Sequence, residues 1–110
     1  MVKQSAQHRI EHMLHAIERI EEFMDQVDIK KFKADVKLQS AVQFQFLIIG
    51  EAVRHLDSEL LERYNYPWHI PRAFRNFIIH EYHDIKLDRI YHAARDLGKL
   101  EKMLRKMLEK

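Results

Sequence analysis

Leu38-Gln-Ser-Ala-Val-Gln-Phe-Gln-Phe-Leu-Ile-Ile-Gly-Glu-Ala-Val-Arg-His-Leu56 is the stretch that decides the fold. Leu38, Ala41, Gln45, Ile48, Ala52 and Leu56 recur at helical spacing. Phe44, Phe46, Leu47 and Ile49 widen the apolar surface well beyond one stripe. A helix apolar on two sides needs two surfaces to bury against. In a chain of 110 residues the second is expected to be another copy of the chain, making a homodimer, the alternative being a central helix surrounded by its own neighbours. Gly50 falls inside this helix, where glycine costs about 1 kcal/mol relative to alanine. Such a glycine marks the close approach of another backbone. The helix is predicted to run from about Phe32 or Ala34 to about Tyr64. Asn65-Tyr66-Pro67-Trp68 ends it, because proline cannot continue a helix and restricts the residue before it.

Helical spacing extends to both sides. Upstream, Ile10, Met13, Leu14, Ile17, Ile20, Met24 and Val27 form one stripe and predict a helix from about Ser5 to Val27. Asp28-Ile29-Lys30-Lys31 breaks the pattern and reads as a short loop. Downstream, a shorter helix is predicted from Ile70 or Pro71 to Glu81, with Pro71 suited to its first turn. Tyr82 to Lys86 connects to a last helix from about Leu87 to Leu108, carried by Leu87, Ile90, Ala94, Leu97, Leu100, Leu104 and Leu108. Gly98 lies within that stretch, and the pattern gives no reason for it. The expected fold is all-α: one domain over residues 1–110, a four- to five-helix up-down bundle.

Composition narrows the classes. With 46% hydrophobic and 33% charged residues the chain is globular, too apolar for disorder. Two glycines and two prolines leave little for tight turns, which favours helices over a sheet. The absence of cysteine removes disulfides and thiolate metal sites. The opening residues Met1 to His8 lack the apolar run of a signal peptide, and Phe46-Leu47-Ile48-Ile49 is far short of a membrane span. A cytoplasmic protein without membrane contact is expected. The net charge of +2 is mild, so nucleic-acid binding would need local clustering of charge.

Chemistry concentrates in Arg75-Asn76-Phe77-Ile78-Ile79-His80-Glu81-Tyr82. Phosphodiester cleavage needs a proton-transfer group and a fixed cation near a phosphate. An imidazole titrates near neutral pH and suits the first role. A guanidinium, always charged and able to grip phosphate through two bonds, suits the second. Arg72, Asn76, His80 and His83 share one helix face, at i, i+4, i+8 and i+11. Arg75 precedes His80 by five residues, about 140° around the axis. Those two side chains can converge only off the helix flank, where the helix ends, or in a cleft between helices or protomers. By residue type alone, the segment also reads as a solvated polar face. His8, His12 and His15 form a second stripe on the first helix, at i, i+4 and i+7, roughly opposite its apolar stripe. Three imidazoles at that spacing suit zinc, but a solvent-facing polar stripe is the better reading. Glu51 is an acid in an apolar stretch and is expected at the dimer seam or paired with Arg54 or Arg72. Trp68 is expected to anchor its loop on the core. Lys99, Lys102, Arg105, Lys106 and Lys110 make the end of the last helix basic, as its dipole favours.

Taken in order, Ile48-Ile49-Gly50-Glu51-Ala52, Pro67-Trp68, Arg75-Asn76-x3-His80-x-Tyr82 and the Asp-Ile-x-Leu-Asp link resemble the HepT-like branch of the HEPN superfamily, from about residue 5 to 108. The resemblance implies an all-helical homodimer that cleaves RNA without a metal or other cofactor. It implies the toxin of a type VII-like toxin–antitoxin pair, whose antitoxin is a minimal nucleotidyltransferase. Carried over, it assigns Arg75 and His80 as catalytic, Asn76 as a supporting residue and Tyr82 as the site of neutralising adenylylation. Arg72, on the same helix face as Asn76 and His80, is expected to support them by adding positive charge to the cleft. Phosphate added at Tyr82 would repel RNA from the cleft. The alternative is a helical docking module that binds nucleotide or phosphate, and the nucleotidyltransferase, without cleaving anything.

Overall fold

The computed structural model describes residues 3–81 and 86–109. These residues form seven helices and no strand: α1 (Gln4–Phe23), α2 (Ile29–Ala34), α3 (Val36–Arg54), α4 (Ser58–Glu62), α5 (His69–His80), α6 (Leu87–Ala94) and α7 (Gly98–Leu108). The all-α expectation holds, but the count of four to five does not.

The extra helices come from breaks inside apolar patterns. Asp28 accepts a hydrogen bond from the Lys31 backbone N–H at 2.8 Å and so starts α2 in the segment expected to be a loop. Seven residues on, Asp35 is extended and accepts from the Leu38 N–H at 3.0 Å, ending α2 and starting α3. Gln39 secures the corner by donating to the Phe32 carbonyl at 2.9 Å. The long second helix is cut again after Arg54. Leu56 dips into the core, and Asp57 turns extended before α4 begins. The last helix is cut at Arg95 to Leu97, where Leu97 turns inward and Gly98 becomes the first residue of α7. Arg95 donates to the Val27 carbonyl and ties this corner to the turn after α1.

Periodicity elsewhere becomes packing directly. α1 buries Ile10, Met13, Ile17 and Ile20 completely, and full burial of such a side chain contributes about 1.5–3 kcal/mol. α3 lies between α1 and α5, while α7 packs on α1 and α6 on α2. Trp68 anchors the start of α5. Its ring N–H donates to the carbonyls of Leu61 and Tyr64, both at 3.1 Å, and its side chain is buried. Phe46 and Phe74 meet edge to face at 4.8 Å across the α3–α5 contact.

Not all of α3 is covered. Phe44 is 59% exposed, and Leu47 and Ile48 are half-buried. With Glu51 they make one strip at i, i+3, i+4 and i+7. Ile79 of α5 is also exposed. None of the described helices is long and apolar enough to cross a membrane.

Candidate functional site

Gly50 sets the site. A Cβ built there would stand 2.3 Å from the Arg75 Cβ and 2.9 Å from the Pro71 carbonyl oxygen. No side chain fits in that space, so glycine alone lets α5 cross α3 this closely. The backbone approach expected of Gly50 is made by α5 of the same chain. Its consequence is to seat Arg75 directly over α3.

From that seat the guanidinium is held at two points. One nitrogen donates to Asn76 Oδ1 at 3.0 Å. The other lies 3.4 Å from Glu51 Oε2, and the Arg75 side chain remains 26% exposed. Glu51 also binds His55 at 2.9 Å and Arg54 at 3.5 Å. Its expected pairing with Arg54 is present, and Arg75 stands where Arg72 was the other candidate. The hydrogen bond from His55 does most to hold the Glu51 carboxyl below its ordinary pKa. Slight desolvation opposes that shift, and the charges of Arg54 and Arg75 add to it. Glu51 is thus an anion in place to orient the guanidinium.

Arg75 opens on a groove of about 390 Å³. Leu47, Ile48, Glu51 and Ala52 of α3 form its floor, Arg75 and Ile79 of α5 one wall, and Arg9 and His12 of α1 the other. Arg9 was not singled out by its sequence context. The available signal was Arg9-x-x-His12, one helical turn apart on α1. His12 lies on the flank of α1, in the groove, rather than opposite the apolar stripe. His8 and His15 are exposed and do not line the groove. Among the described residues no three His, Asp or Glu side chains gather as a metal ion would require.

The other expected site residues lie around this groove. His80 is exposed at the last residue of α5 and is not among the groove's lining residues. Within one chain, then, the groove holds Arg75 without His80. Arg72 and Asn76 are exposed on α5. Tyr82 and His83 lie outside the described residues, as does Lys110. Lys99, Lys102, Arg105 and Lys106 of α7 edge a separate cavity of about 950 Å³ between α5 and α7, floored by Phe46, Ile49, Phe74 and Met103.

The family described as Ribonuclease HepT-like matches residues 13–107 of the chain. A protein of Methanocaldococcus jannaschii, named for a gamma-glutamylcyclotransferase and a candidate RNase, is 32% identical over 102 residues, which is 91% of this chain and 46% of that protein. The chain therefore spans about half the length of that relative. A candidate RNase of Caldanaerobacter subterraneus is 30% identical over 103 residues, covering 92% of both chains. A protein of Thermococcus cleftensis named probable ribonuclease HepT is 29% identical over 108 residues, covering 93% of this chain and 98% of its own. No solved structure matches the chain.

Proposed function

The chain belongs to the HepT-like ribonuclease family, and from that premise we propose that it is an RNA endonuclease that works without a metal ion as a homodimer. The observation that carries this reading is the seat of Arg75: a guanidinium clamped by Gly50, Glu51 and Asn76, with one side open to a groove. A cation fixed before the substrate arrives stabilises charge that builds on a phosphate in the transition state, without reorganising.

His80 is the proton-transfer group. As base it takes the proton of a ribose 2′-hydroxyl. The 2′-oxygen then bonds to the adjacent phosphorus while the bond from phosphorus to the 5′-oxygen breaks. A second imidazole, acting as acid, protonates the departing 5′-oxygen. The products are a 2′,3′-cyclic phosphate and a 5′-hydroxyl. Because His80 stands outside the groove of its own chain, the reading calls for a second copy. Phe44 of α3, exposed and outside the groove's lining, marks the surface that copy covers, so that the groove opens into the cleft between the two copies. Two-fold pairing there brings two Arg75 and two His80 to one cleft, one imidazole for each role. Arg72 and Asn76 support the phosphate from the exposed side of α5. Adenylylation of Tyr82 by a minimal nucleotidyltransferase, the antitoxin of a type VII-like pair, neutralises the enzyme.

The test is the chemistry of the cut ends. RNA fragments made in EDTA are expected to carry 2′,3′-cyclic phosphate, with His80→Ala slowed about 10²–10⁴-fold, the usual range for lost general acid–base catalysis. Cleavage that needs magnesium, or ends without cyclic phosphate, sinks the mechanism. One observation favours a second reading: Arg75 and His80 do not share a groove in one chain. If they stay apart in the assembly, the protein is a docking module that binds phosphate or nucleotide, and His80→Ala leaves nucleotidyltransferase binding intact.

A further inference from the structure

We propose that Arg9 and His12 form a second phosphate subsite, which holds an RNA backbone phosphodiester flanking the one at Arg75. The inference deepens the nuclease reading and rests on it for the identity of the strand. Both side chains come from α1, whose other face is locked into the core by Ile10, Met13 and Ile17. They therefore project from a fixed wall. Across the floor stands Arg75, fixed in turn by the α3–α5 crossing at Gly50. The groove thus carries cationic or protonatable side chains on both walls, and its one carboxylate, Glu51, is already bound to His55, Arg54 and Arg75. Among the described residues neither Arg9 nor His12 has an ion-pair partner. Two rigid walls, each with donors free on the groove side, suit a strand with a repeating anion, because successive phosphates can be held at once.

Net charge argues the same way. The chain carries only +2 overall, so a polyanion must be gripped where basic groups cluster. The α5–α7 cavity also carries basic side chains, but it does not contain Arg75, and a phosphate flanking the one at Arg75 must lie in the same groove. The histidine stripe then divides by position: His12 faces the groove, while His8 and His15 do not.

That division gives the experiment its control. A short, fluorescently labelled RNA of mixed sequence, fully 2′-O-methylated so that it cannot be cut, is titrated with purified protein over a salt series. Arg9→Ala with His12→Ala is expected to weaken binding about tenfold and to lower the slope of log K against log salt by about 0.7 for each phosphate no longer neutralised. His8→Ala with His15→Ala is expected to match the wild type. Equal affinity and slope for the Arg9/His12 pair and wild type overturns the proposal, as does a wild type that binds no RNA. Should the alanine pair fold poorly by circular dichroism, Arg9→Gln with His12→Gln replaces it under the same expectations. Cleavage of unmodified RNA by the same preparations separates the two readings. Wild type that binds through Arg9 and His12 yet never cuts supports the subsite and defeats the nuclease. Wild type that cuts, beside variants that bind normally, does the reverse.

Discussion

The chain has two glycines, and they do opposite things. Gly50 has no room for a side chain: any Cβ there collides with Arg75 and with the Pro71 carbonyl. Gly98 has no atom within 4 Å of where its Cβ would be. The first is imposed by a crossing of two helices, and that crossing aims a guanidinium. The second begins a helix at a corner and touches nothing. The same residue type thus marks a site in one place and only a joint in the other, and the neighbour of each decides which.

Gly50→Ala attacks the comparison most strongly. Overpacking a tight contact costs about 1–3 kcal/mol. Here it also pushes α5 away from α3, so RNA cleavage is expected to fall further than thermal stability alone explains. Calorimetry beside a cleavage assay at a temperature where the variant stays folded checks this. Retained activity with Arg75 unmoved would mean that the crossing does not aim the side chain.

Glu51→Gln is the next smaller change. It removes the anion that orients Arg75 while leaving shape intact. Cleavage is expected to drop about tenfold, and RNA binding to hold or tighten because a negative charge has left the groove. Equal losses in binding and cleavage would instead give Glu51 no role in orientation.

A third test uses pH. The Glu51 carboxyl has its pKa lowered in the folded chain, first by the His55 hydrogen bond. A lowered carboxyl favours the folded, paired form above the ordinary value of 4.5, and the pair is lost as pH falls through the lowered value. An NMR titration should place the Glu51 midpoint below 4.5, and His55→Ala should move it upward. A midpoint unchanged by His55→Ala removes the hydrogen bond as the cause.

Gly98→Ala is the smallest effect and the counterweight to Gly50. Alanine at an unobstructed helical position is expected to add up to about 1 kcal/mol of stability and leave cleavage unchanged. A loss of stability would show that the corner at Arg95 to Leu97 needs glycine.

Much of the fold was legible in the sequence because apolar spacing reports burial. The core faces of α1 and α7 and the anchoring by Trp68 follow from it. On α3 the buried face is Val42, Gln45, Phe46, Ile49 and Val53, turned away from the expected stripe at Leu38, Ala41 and Ile48. Those three stay half-buried, because a helix apolar on two sides does not say which side meets the core. The breaks were not legible, for a common reason. At Asp35, Leu56 and Leu97 the apolar rhythm continues through the corner, so periodicity alone runs the helices together. A cap such as Asp35 takes effect only because the chain turns there to bury Phe32. The candidate site was legible in part. Arg75 was singled out by its motif, but its bond to Glu51 depends on two helices distant in sequence. Arg9 belongs to the groove for the same reason: only the packing of α1 on α3 brings it near Arg75. His80, singled out by the same motif, lies outside the groove in one chain.

The most direct measurement is cleavage of total cellular RNA in EDTA by purified wild type and by Arg75→Ala, with both shown to have the same fold and oligomeric size. Discrete fragments from the wild type, and a rate about 10²–10³ lower for the variant, are the predicted result for removal of a transition-state donor. Equal cleavage by the two proteins, or none by the wild type, would contradict the claim that the seated guanidinium serves RNA cleavage.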